Sequence, residues 1–160
     1  MEGMSFRAIR GGLLLFTAPF LVAPVNGEPA PDVACVNEVR CNAVRNFFLS
    51  HKSPLASKAP VFIAVAERHG LDWRLLPGLS MVETSGGKAG KKNNIFGWNS
   101  GKASFKTVDA GIEFVGERLA TSKLYVGSTM DKLRRYNPAR KVYPAKVVKF
   151  MLQISSEPVE

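Results

Sequence analysis

The chain has 160 residues, with 22 Lys and Arg against 13 Asp and Glu for a formal charge of +9, and only two cysteines. That length holds one domain with a single core and is short for two. The charge suits any polyanion, whether nucleic acid, anionic membrane or cell wall, and two cysteines alone leave no readable zinc site and no metal or cofactor expected.

Arg7 and Arg10 precede an apolar run from Gly11 to Ala23, after which polarity rises at Asn26. This order predicts a signal peptide over residues 1–27, with Val25, Asn26 and Gly27 before the cleavage point and Glu28 as the first mature residue. The rival, a membrane anchor, needs about 20 apolar residues, and this run is shorter and broken by Pro19 and Pro24. Removing residues 1–27 leaves 20 basic and 12 acidic residues, or +8. The expected location is the periplasm, the cell envelope or the exterior. Export argues against nucleic acid as a partner and against stable membrane insertion after cleavage, and leaves wall material or secretion and envelope proteins as candidate partners.

In an exported chain a cysteine pair more often bridges than binds metal. Inside one helix Cys35 and Cys41 would stand about 9 Å apart along the axis, beyond disulfide reach. A bridge therefore needs Cys35 outside the helix, folded back on the first turn of a helix capped by Asn37. Two free thiols are the alternative. A lipid on Cys35 is disfavoured, because Asp32-Val33-Ala34 lacks the aliphatic residue of lipoprotein signals.

Val36, Val39, Ala43, Val44, Phe47 and Phe48 recur at helical spacing and predict a helix from Asn37 to about Leu49. Ser53 to Pro60 reads as a linker, so residues 28–59 form an N-terminal helix and linker ahead of a domain over residues 60–155 and a tail over 156–160. Pro60 opens a second helix, apolar nearly all round and ended by Gly70. Asp72 is expected to cap a third helix running to about Thr84, with Leu71 and Leu76 as its hydrophobic staple, but Pro77 would then sit past the first turn and kink it. Thr84 to Thr107 reads as loop, with a short hairpin around Phe96-Gly97-Trp98 and Ala103-Ser104-Phe105. Thr107 caps a fourth helix with a second stripe of Asp109, Glu113 and Glu117, of which Glu113 and Glu117 read as a solvated face. A short helix through Met130 to Leu133 ends at Asn137-Pro138, and Pro144 opens the last one. With strands scarce, the expected class is all-α, or α+β at most.

At about 100° per residue, Glu83 lies about 20° from Leu76 and about 40° from Leu79, so its carboxyl points along the apolar face of the third helix. It also sits in the last turn, where the dipole disfavours negative charge. Burial and dipole both favour the protonated form, the state a general acid needs near neutral pH. The alternative is a frayed helix end that lets Glu83 swing into water. Phe96, Trp98 and Phe105 follow in a loop interleaved with Asn93, Asn94 and Asn99. Rings that pack on sugar faces beside amides that bond hydroxyl and acetamido groups form a carbohydrate site, although the same rings also suit a small local core.

The run from Gly70 to Ser85, ending Met81-Val82-Glu83-Thr84-Ser85, resembles the helix that carries the catalytic glutamate in the lysozyme-like superfamily. Asn93-Asn94-Ile95-Phe96-Gly97-Trp98 is similar to a segment of bacterial glucosaminidases, and Phe105-Lys106-Thr107 with Asp109-Ala110-Gly111-Ile112 also resembles the family. Tyr136-Asn137-Pro138 with Tyr143 and Val147 resembles the Tyr-Asn segment and final helix of soluble lytic transglycosylases. The resemblance runs from about Phe62 to Ile154 in the family's order. It implies a compact helical lysozyme-like domain with a loop or hairpin lobe after the catalytic helix. It also implies cleavage of β-1,4 bonds between N-acetylated amino sugars of peptidoglycan, with glycan strands as the partner. Glu83 would be general acid and base, and Tyr136 the residue that positions the acid or the sugar. Thr84, Ser85, Asn94, Phe96, Gly97, Trp98, Phe105, Asn137 and Tyr143 would contact substrate, and His69 has no role.

Glycosidases of the usual kind need a second carboxylate about 5 Å away as nucleophile or about 6.5–9.5 Å away to activate water. Between Glu83 and Asp109 there is none, and the resemblance places Asp109 at a helix start below the cleft. Single-glutamate chemistry therefore fits better, with the substrate's acetamido group supporting the cation. Water as acceptor gives hydrolysis, the sugar's own 6-hydroxyl gives an anhydro product, and the sequence accommodates both. A wall-binding module without chemistry is the rival class, against which Glu83 and Tyr136 together argue. A membrane-active protein would need a strongly basic amphipathic helix, and none is readable.

Overall fold

The computed structural model describes residues 34–159, so the predicted signal peptide lies outside the described residues. Within them the chain is all-α, with six helices and no sheet. They are α1 (Glu38–Ser50), α2 (Ala59–Arg68), α3 (Leu75–Thr84), α4 (Val108–Thr121), α5 (Thr129–Tyr136) and α6 (Tyr143–Ile154).

Local chemistry sets most of the boundaries. The Asn37 side chain accepts from Arg40 N–H, and Thr107 does the same for Ala110, each satisfying a donor that the first turn leaves free. Ser128 and Asp131 form a reciprocal capping box on α5. Gly70, at φ +60°, follows α2 with its N–H on Glu67 O (3.3 Å) and Leu71 N–H on Ala66 O (2.9 Å). This is the Schellman arrangement expected of a glycine beyond a helix end. Cys35 and Cys41 are bridged, with Cα atoms 6.4 Å apart, and Cys35 lies outside the helix that begins at Glu38.

Two expectations about local structure are corrected. Asp72 does not cap α3. Its carboxylate accepts from Arg74 N–H (2.9 Å) in a turn ahead of the helix, which begins at Leu75. The later start puts Pro77 at the third helical position, inside the turn whose N–H groups have no intrahelical acceptor, so the proline removes nothing and needs no kink. The hairpin after α3 is also absent. Gly97, Asn99, Ser100 and Gly101 all have left-handed φ between 54° and 76°, which breaks the extended backbone a strand pair needs.

The core is continuous. Leu75, Leu76 and Leu79 of α3 are fully buried among residues of α1, α2, α4 and α6. Gly78 lets α6 approach closely, since a Cβ there would stand 3.0 Å from the Met151 side chain. Cys41, Val44, Phe48 and Leu55 share this core with Phe62, so residues 37–59 belong to the same body as the rest rather than preceding it. The tail is fastened too. The buried Arg74 guanidinium pairs with Asp72 (2.7 Å) and donates to the carbonyls of Ser155 (3.1 Å), Glu157 (2.5 Å) and Pro158 (2.8 Å). The acidic stripe of α4 divides: Glu113 ties α4 to Arg68 and His69 at the end of α2, while Glu117 is exposed.

Candidate active site

Glu83 occupies the last turn of α3, half-buried, with its Oε1 accepting from Tyr143 Oη at 2.5 Å. Burial pushes its carboxyl above the ordinary range, and this outweighs the Tyr143 hydrogen bond and the positive charge of Arg140, which both pull it down. The group thus tends to hold its proton while keeping partners ready for the carboxylate it becomes. Tyr143, buried at the start of α6, is held strongly protonated, first by burial and then by its bond to Glu83. It therefore serves as a fixed donor.

Gly97 faces the other carboxylate oxygen. It has φ +60°, which favours glycine, and a Cβ there would lie 3.0 Å from Glu83 Oε2 and crowd the carboxyl. The loop that brings it there is built from side-chain bonds to backbone. Thr84 Oγ1 donates to Ile95 O (2.6 Å) and accepts from Gly87 N–H (3.0 Å). Asn94 donates to Trp98 O (3.0 Å) and Ala103 O (3.2 Å) and accepts from Trp98 N–H (2.9 Å). Asn93 donates to the carbonyls of Phe105 and Lys106.

Beside Glu83 opens a cleft of about 810 Å³, lined by Gly97, Trp98, Asn99, Ser100, Ala103, Ser104, Phe105, Phe114, Tyr125, Tyr136, Asn137 and Pro138. Its size is that of a small-molecule or sugar site. The Trp98 ring packs edge-on against Phe114 (5.6 Å) and Tyr136 (5.9 Å). Tyr136 stacks on Tyr143 at 5.9 Å and donates its hydroxyl to Phe96 O at 2.8 Å. Among the described residues, Glu83 is the only carboxylate in the lining. Asp109 is not in it and pairs with Lys58 at 2.9 Å.

Of the residues expected from sequence, Glu83, Gly97, Trp98, Phe105, Tyr136 and Asn137 meet at this cleft. The others lie outside its lining. Phe96 is fully buried against Phe62, and only its carbonyl reaches the site, through Tyr136. Asn94 and Thr84 are buried and spend their polar atoms on the loop backbone. Ser85 is an exposed left-handed residue ending α3. Tyr143 touches Glu83 instead of the open cleft. Sequence reading missed Phe114 and Tyr125. A usable signal was present: the chain has only three tyrosines, and all of them gather beside Glu83, with Tyr125 to Tyr136 at 6.3 Å.

Neither a protein-family model nor a curated protein matches this chain.

Proposed function

We propose that this protein is a peptidoglycan-cleaving enzyme acting on β-1,4 bonds between N-acetylated amino sugars, with Glu83 as general acid and base. The observation that carries the reading is one half-buried carboxyl, hydrogen-bonded by Tyr143, at the wall of an aromatic-lined cleft with no second carboxylate among the described residues. The Trp98, Tyr125 and Tyr136 rings offer faces for sugar C–H surfaces, and the side chains of Asn99, Ser100 and Asn137 offer bonds to hydroxyl and acetamido groups.

In the proposed reaction Glu83 gives its proton to the glycosidic oxygen as the bond from that oxygen to the anomeric carbon breaks. The carbonyl oxygen of the substrate's own acetamido group bonds to the anomeric carbon in its place. The Glu83 carboxylate, steadied by Tyr143, then takes a proton from the hydroxyl that displaces the acetamido oxygen. A lining with one carboxylate favours this course over the two-carboxylate mechanisms. Water as the incoming hydroxyl yields a reducing sugar, and the sugar's own 6-hydroxyl yields an anhydro sugar.

Mass spectrometry of fragments released from purified peptidoglycan is the test. Glycan fragments absent from the Glu83→Gln control are expected, and their reducing or anhydro ends name the acceptor. No released fragment would overturn the proposal. Loss of activity in Asp109→Asn as well, with the fold retained and reducing products, would replace the single-glutamate course by a two-carboxylate hydrolase.

A further inference from the structure

Next to the cleft, and sharing Asn137 and Pro138 with it, lies a hollow of about 270 Å³ whose remaining lining is Arg134, Arg140, Lys141 and Pro144. Among the described residues its lining has three cations and no acid. Arg134 is paired with Asp131 at 3.1 Å, whereas Arg140 and Lys141 have no ion-pair partner among the described residues. Elsewhere several cations are committed, Arg40 to Glu67, Lys58 to Asp109, Arg68 to Glu113 and Arg74 to Asp72.

The turn that carries the free pair is fixed at both ends, with Arg140 N–H on Asn137 O (3.2 Å) and Tyr143 N–H on Arg140 O (2.9 Å). Pro144 brings the first turn of α6 to the hollow, where the helix dipole adds positive potential. Because Asn137 and Pro138 line both, the hollow adjoins the cleft in which cleavage is proposed.

We propose that this hollow is a subsite for a carboxylate-bearing branch of the glycan, the peptide stem, and that the enzyme selects stem-bearing strands over bare ones. The inference rests on the proposed function and adds a substrate feature to it. The Arg140 guanidinium matches a carboxylate in two parallel bonds, and the Lys141 ammonium adds a point charge. A bare strand leaves both in water and gains nothing from them.

The experiment uses the full chain on two substrates: strands carrying stems, and the same strands freed of stems by an amidase. The ratio of kcat/KM on the two is the readout. Exposed charge pairs suggest a ratio of roughly three to ten in favour of stem-bearing strands. It should fall to about one in Arg140→Gln/Lys141→Gln and decline as salt is raised. A wild-type ratio near one, or a preference that survives the double substitution, would overturn the subsite.

Treating stem-bearing strands with hydrofluoric acid removes phosphate-linked polymers. A preference lost by that treatment, with the stems intact, assigns the hollow to phosphate and overturns the carboxylate. Strand binding is read separately on Glu83→Gln. If neither strand is cut by the wild type, the proposed function fails, and the binding ratio still decides the subsite.

Discussion

The helical frame and the loop between α3 and α4 reach the same cleft by different physics. The frame is held by apolar burial, as where Phe48, Phe62, Leu76, Leu79 and Val147 are sealed from water. The loop contributes few such side chains, chiefly Ile95 and Phe96, and is shaped by Thr84, Asn93 and Asn94 bonded to its own backbone. A frame made of many small contacts yields in proportion to what is removed. A loop that relies on the bonds of buried Thr84 and Asn94 fails at single atoms, because each lost partner leaves a desolvated group behind.

The largest expected effect breaks the frame. Phe62→Ala removes a fully buried ring that packs on Phe48 and Phe96, and should cost about 3–5 kcal/mol by denaturant titration. Below its melting point the variant should keep most of its kcat/KM, since Phe62 does not line the cleft.

Asn94→Ala reverses that pattern. It strips partners from Trp98 N–H, Trp98 O and Ala103 O, at about 1–3 kcal/mol, and frees the Trp98 ring that walls the cleft. Helix content by circular dichroism should hold while kcat/KM falls by tenfold or more. Equal losses of stability and activity in both variants would erase the distinction between the two regions.

Reducing the Cys35–Cys41 bridge is a smaller perturbation. It closes a short loop at the edge of α1, so reduction should cost about 2 kcal/mol and leave cleavage intact. Thiol counting on the denatured, unreduced protein should find none free.

Tyr143→Phe sharpens the comparison at the point where frame meets site. It removes the donor that favours ionised Glu83, so the carboxyl rises further. The alkaline limb of the activity profile, where the acid loses its proton, should then move to higher pH by up to about one unit. A limb that stays in place or moves down would mean that another group sets it.

How much of this was legible in the sequence follows from the same division. Asn37, Thr107, Pro144 and Gly70 mark helix ends because capping and left-handed turns are local chemistry, readable residue by residue. The helical period puts Glu83 on the apolar face of α3, and the structure leaves it half-buried there. Asp72 misled because an aspartate before an apolar run suits a cap and a side-chain pair equally, and Arg74 two positions on was the competing partner. The burial of Asn94 and Phe96 is hidden from the sequence for a related reason. An amide that bonds sugar and one that bonds backbone are the same residue type, and a ring in a polar loop faces inward or outward according to turns that Gly97, Asn99 and Ser100 set together. Tyr125 and Phe114 reach the cleft through tertiary packing, which no local period reports.

The central claim is that the Glu83 proton drives cleavage, and Glu83→Gln tests it most directly. The amide keeps the shape but has no proton to give, so release of glycan fragments should fall by 10²–10⁴-fold or more, since the same group also serves as base. The fold should be kept. Because the carboxyl is raised in the folded state, its stabilising contribution is full below the ordinary carboxyl range and is lost as pH rises through the folded value. The variant should therefore match or exceed wild-type stability at neutral pH, with the advantage fading in acid. A folded Glu83→Gln protein that cuts peptidoglycan at the wild-type rate would contradict the account.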